Sequence, residues 1–109
     1  MARLTLSVIS LPEETVDLHL EPLHLARQLL GSAGSQPAMI PELGVETPDG
    51  RVYDPDEVEA IEPRLAEAIA ALDVAFPAER YFNERQELRA ALEIFRTARA
   101  HRSGVELAA

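Results

Sequence analysis

The run Arg51-Val52-Tyr53-Asp54-Pro55-Asp56-Glu57-Val58-Glu59-Ala60-Ile61 passes from strand chemistry to helix chemistry, and its reading decides the fold class. Asp54 is suited to cap a helix, Pro55 to its first position, and Glu57 to reach back to the cap nitrogen. Val58, Ile61, Leu65, Ile69 and Leu72 then recur at helical spacing. Pro63 interrupts this run, so either the helix kinks there or a second one starts with Pro63 at its first position. On a helical projection Asp56, Glu59 and Glu67 point away from the apolar stripe. Just upstream, Thr47-Pro48-Asp49-Gly50 is a β-turn signal that predicts a short hairpin from Gly44 to Tyr53.

The flanks extend the pattern. Leu4, Leu6 and Val8 alternate with Arg3, Thr5 and Ser7, the period of a half-buried strand. Val16, Leu18 and Leu20 alternate in the same way, with Pro12-Glu13-Glu14 as the expected turn between the two strands. The alternative is that residues 16–20 join a following helix, for which Pro22 supplies the first position, Leu23, Ala26, Leu29 and Leu30 the stripe, and Gly31 the stop. Residues 31–50 read as a long Gly/Ser/Pro loop, pinned by Met39, Ile40, Leu43 and Val45. Asn83 followed by Gln86 suggests another capping box, and Leu88, Ala91, Leu92 and Phe95 make a last amphipathic helix. Arg96, Arg99, His101 and Arg102 crowd its end, where cations complement the helix dipole. Gly104 is expected to end it, and Val105-Glu106-Leu107 to add a closing edge strand. These elements predict one α+β domain over 1–109, a mainly antiparallel sheet of three to five short strands covered by three or four helices.

Composition narrows function more than it names it. The chain of 109 residues has a formal net charge of −9. Residues 42–79 hold eleven carboxylates against Arg51 and Arg64, which accounts for that entire charge. Residues 80–102 are the reverse, with six arginines against Glu84, Glu87 and Glu93. An anionic face repels nucleic acid and anionic membrane and attracts a basic protein surface. No apolar run approaches the ~20 residues that span a bilayer, and the reading is cytoplasmic. Cysteine is absent and every basic residue is arginine, which removes thiol chemistry and lysine Schiff bases.

Asp17, His19, Glu21 and His24 are the only constellation with metal-ligand character. On a strand the first three would share a face, with His24 one turn into the next helix. A solvated strand face explains the same alternation. No serine lies in a glycine-flanked elbow beside a histidine, and Gly31-Ser32-Ala33-Gly34-Ser35 lacks the lysine of a phosphate loop. Pairs such as Asp56/Glu57 or Glu59/Glu62 have the residue types of glycosidic chemistry, but dense carboxylates on an amphipathic helix form its solvated face. Arg99 stands out because it falls on the stripe of Leu88, Leu92 and Phe95. It either snorkels past the core or anchors the acidic segment or a partner. Tyr81-Phe82 are lid residues of the core or interface anchors.

The runs Asp17-Leu18 to Leu29-Leu30-Gly31, Glu42-Leu43-Gly44, Arg51 to Val58 and Gly104-Val105-Glu106-Leu107 together resemble the YfbM-like family of small bacterial proteins. That resemblance implies an α+β fold and transfers no catalytic residue. Small acidic α+β proteins of similar kind occur as immunity proteins beside bacterial toxins. The expected function is therefore a non-catalytic binding module, without cofactor, that presents Glu42, Glu46, Asp49, Asp56, Glu59 and Glu67 to a basic protein partner, with Tyr53 as aromatic anchor. The same carboxylates also serve solubility. The other readings are a small metal-dependent enzyme or ligand-binding protein on Asp17, His19, Glu21 and His24, and an accessory subunit of an oligomer.

Overall fold

The computed structural model describes residues 3–19 and 51–108. Strands β1 (Arg3–Val8), β2 (Leu11–His19), β3 (Arg51–Tyr53) and β4 (Val105–Ala108) form an antiparallel sheet in the order β2-β1-β4-β3. Two helices, α1 (Pro55–Ala75) and α2 (Phe82–Ala100), cover one face. The fold is α+β. Among the described residues there are two helices. The helix expected from Pro22, the loop over 31–50 and the hairpin arm before Arg51 lie outside the described residues.

Alternation sets the layers. Leu6, Val8, Leu18, Tyr53, Val105 and Leu107 are buried beneath the helices, whereas Asp17, Val52 and Glu106 are exposed on the opposite face. α2 lies on β1, β2 and β4, while α1 packs on α2 and reaches the sheet at β3. Val58, Ile61, Leu65, Ile69 and Leu72 of α1 meet Leu88, Leu92, Ile94 and Phe95 of α2 in one core. Each such side chain stabilises by about 1.5–3 kcal/mol when fully buried.

Val16 to His19 are strand, as their alternation predicts, but other expectations change, and the turn before them is Ile9-Ser10 rather than Pro12-Glu13-Glu14. Those three residues lie inside β2: Ser7 pairs with Thr15 and Val8 with Leu11, so Pro12 to Glu14 bulge from the ladder. A proline without an N–H is tolerated there because β2 is an edge strand among the described residues. β4 is not the edge. It lies between β1 and β3, so the end of the described chain completes the middle of the sheet. Gly104 precedes it where the backbone of β3 comes close, and a Cβ there would stand 2.6 Å from the Tyr53 carbonyl oxygen. The Ile9 N–H donates to the Gly104 carbonyl at 3.1 Å and the Ser10 N–H to Ser103 Oγ at 3.0 Å, which ties the β1–β2 turn to this junction.

Asp54 caps α1 as expected: its carboxylate accepts from the Glu57 N–H at 2.8 Å, and the Glu57 carboxylate accepts from the Asp54 N–H at 3.3 Å. Pro63 neither ends nor restarts the helix. It sits on the exposed side, where the carbonyl left without a helical partner can meet water. Asn83 is not a cap. α2 starts two residues earlier than an Asn83 cap would place it, with Tyr81 at the N-cap in a left-handed conformation (φ 53°) and no side-chain cap bond. Its other end closes as a Schellman turn, with Ser103 N–H donating to Ala98 O at 2.8 Å and Arg102 N–H to Arg99 O at 3.2 Å. Arg102, not Gly104, takes the left-handed position there (φ 51°).

Candidate functional site

α1 carries Asp56, Glu57, Glu59, Glu62, Glu67 and Asp73 against the single cation Arg64. Glu57 closes the capping box with Asp54, and the fold divides the other five carboxylates into two groups. Glu62 and Asp73 turn toward α2 and are held by its arginines. Arg96 Nε and Arg99 Nη1 donate to Glu62 at 3.2 and 2.7 Å, and Arg96 Nη1 also reaches Glu93 at 3.3 Å. Arg85 Nη1 and Arg89 Nη2 both donate to Asp73 Oδ1, at 3.0 and 2.9 Å, and Arg89 reaches Oδ2 at 3.0 Å. All four arginines of α2 are thus engaged by carboxylates.

Asp56, Glu59 and Glu67 form the second group. They are exposed, and among the described residues no ion pair or hydrogen bond holds their side chains. Asp56 and Glu67 are eleven positions apart, just over three turns, so they share one outward face of α1, with Glu59 beside them. This is the projection read from the sequence. Glu42, Glu46 and Asp49, expected to extend that face, lie outside the described residues.

Tyr53 does not belong to the surface. Its ring is wholly buried and meets Phe95 edge to face at 5.6 Å, so it is a core residue and not the aromatic anchor expected beside the acids. Its strand alternates Val52 outward and Tyr53 inward, which hides the larger ring. Tyr81 packs edge-on against Phe76 at 5.0 Å, a lid as expected, while Phe82 is 53% exposed.

The metal constellation is only partly described. Asp17 and His19 occupy alternate positions of β2, and Glu21 and His24 lie outside the described residues. The Asp17 carboxylate accepts from the Thr5 hydroxyl at 3.0 Å across β1 and β2, an ordinary cross-strand contact. Among the described residues no group of three or more His, Asp or Glu side chains is placed to hold a metal ion. No helix there is long and apolar enough to cross a membrane.

Two features escape a reading of the sequence. The first is Arg85, a buried cation whose Nε donates to the Arg80 carbonyl at 3.1 Å and whose Nη2 also contacts the carbonyls of Pro77 and Arg80. Its signal was its place three residues before Leu88, on the same apolar stripe as Arg99. The second is a cleft of about 380 Å³ at the opposite end of the helix pair, lined by Pro55, Asp56, Glu59, Arg99 and Arg102. Acids form one wall and arginines the other.

Set against protein-family models, curated proteins and solved structures, the chain matches none.

Proposed function

We propose that the chain is a non-catalytic module that binds a basic protein partner through the outward face of α1, as an immunity or inhibitor protein does. The observation that carries this reading is the division of carboxylates. α2 neutralises Glu62 and Asp73 internally, and Asp56, Glu59 and Glu67 remain exposed without a partner among the described residues. Arg64 is the one cation on α1 itself, while Arg99 and Arg102 stand across a cleft from Asp56 and Glu59. A partner that itself handles nucleic acid must be basic, and charge complementarity with such a surface accelerates encounter by about ten- to a thousandfold at low salt. The reverse orientation, with α2 as a nucleic-acid surface, has little support because its arginines already hold carboxylates. The resemblance to the YfbM-like proteins is compatible with this role.

The test uses a labelled nona-arginine peptide as the basic probe. Asp56→Lys, Glu59→Lys and Glu67→Lys are combined, and stopped-flow association is followed across a salt series. The reading predicts a slower on-rate and a flatter salt dependence in the variant. An unchanged rate and slope in a folded variant would remove α1 as the binding surface.

A further inference from the structure

The cleft at the open end of the helix pair has a volume of about 380 Å³, within the range of about 300–1,000 Å³ common for small-ligand sites. Its charges face each other without closing it. Neither Asp56 nor Glu59 makes an ion pair with Arg99 or Arg102, although all four line the same space. Arg99 uses Nη1 on Glu62, and the Arg102 guanidinium has no carboxylate partner among the described residues. Arg102 also occupies the left-handed position that ends α2, where glycine is the favoured residue and a side chain adds backbone strain. An exposed long cation thus stands in that position, at the edge of the cleft.

We propose that this cleft binds a carboxylate and a cation carried on one ligand and separated by a spacer, as in a basic amino acid at a chain terminus or free in solution. Guanidinium groups receive carboxylates in a forked geometry, which assigns the ligand's carboxylate to Arg102 and the unused nitrogens of Arg99. Asp56 and Glu59 receive the cation. The spacer follows from the walls: opposed groups that stand beyond ion-pairing range are bridged by a ligand whose own charges are set apart. This deepens the partner-binding reading and rests on it through Asp56 and Glu59. Where the ligand is a chain terminus, the partner is one that offers a C-terminal arginine or lysine.

The experiment uses four probes: a labelled tetrapeptide ending in arginine with a free carboxylate, its C-terminal amide, the same peptide ending in glutamine, and free arginine as competitor. Anisotropy titrations should show the free-acid arginine peptide binding at least about tenfold tighter than the amide or the glutamine peptide. Arg102→Gly should remove the preference for the free acid while its unfolding midpoint rises, a combination that a purely structural Arg102 would not give. Asp56→Asn with Glu59→Gln should abolish the preference for arginine over glutamine and leave the preference for the free acid intact. Competition by free arginine equal to the peptide would assign the site to a small molecule, and competition by the peptide alone to a chain terminus. Both outcomes uphold the cleft. Equal binding of acid and amide, no binding of any peptide, or full binding by Arg102→Gly would overturn it. If acid and amide bind equally and the Asp56/Glu59 variant weakens both, the cleft falls while the acidic face stands.

Discussion

Arg85 and Arg99 stand at the two ends of the same stripe of α2, three residues before Leu88 and four after Phe95, yet the fold treats them in opposite ways. The Arg85 side chain is 4% exposed, and the Arg99 side chain is 46% exposed. At the Arg85 end the chain doubles back through Pro77 and Arg80, and its free carbonyls surround the guanidinium. At the Arg99 end the helices diverge into strands, leaving a carboxylate on one side and an open cleft on the other. The difference shows that an arginine on an apolar stripe is not one kind of residue. Where a connection supplies carbonyl acceptors, the cation becomes part of the core. Where none is supplied, it remains a surface group with nitrogens to spare.

The sharpest break of this comparison is Arg85→Ala. It leaves the Pro77 and Arg80 carbonyls without their buried donor and should destabilise by about 2–4 kcal/mol in urea unfolding, with little dependence on salt. A cost below about 1 kcal/mol would mean that water serves those carbonyls equally well. Next is Gly104→Ala, which tests whether the sheet junction is as tight as the 2.6 Å approach to the Tyr53 carbonyl implies. Relief requires a backbone shift, and the expected loss is about 1–3 kcal/mol. Glu62→Gln weakens the surface clasp on Arg96 and Arg99. Its cost should be about 1 kcal/mol, and unlike that of Arg85→Ala it should shrink in high salt. The smallest effect has the opposite sign. Arg102→Gly relieves the left-handed strain and should stabilise by up to about 1 kcal/mol, read as a higher urea midpoint at constant slope.

Local signals carried much of this fold. The Asp54–Glu57 capping box, the inward residues of α1 and α2, and the alternation of β1 and β2 were legible because each depends on neighbours within one turn or one pleat. Errors arose where distant chain decided the outcome. Val105-Glu106-Leu107 reads as a strand, but its central place depends on β1 and β3 both pairing with it. Pro12-Glu13-Glu14 has turn chemistry that the ladder accommodates as a bulge. Asn83 and Gln86 match a cap that Tyr81 pre-empts: the Tyr81 carbonyl already accepts from the Arg85 N–H at 3.0 Å, so the first turn begins before Asn83. The site divides along the same line. Outward Asp56, Glu59 and Glu67 follow from helical projection, and the place of Arg99 on the apolar stripe points to an anchor for the acidic segment. Which carboxylates would be neutralised was not legible, because Glu62 and Asp73 meet arginines that only the antiparallel pairing of α1 and α2 brings near.

The central claim is that α2 clasps one group of carboxylates and leaves another for a partner. Side-chain carboxyl resonances measured by carbon-detected NMR during titration with nona-arginine test it residue by residue. Asp56, Glu59 and Glu67 should shift first and saturably, and Glu62 and Asp73 should remain in place until salt or variant releases their arginines. Equal shifts across all five carboxylates, or shifts led by Glu62 and Asp73, would contradict it.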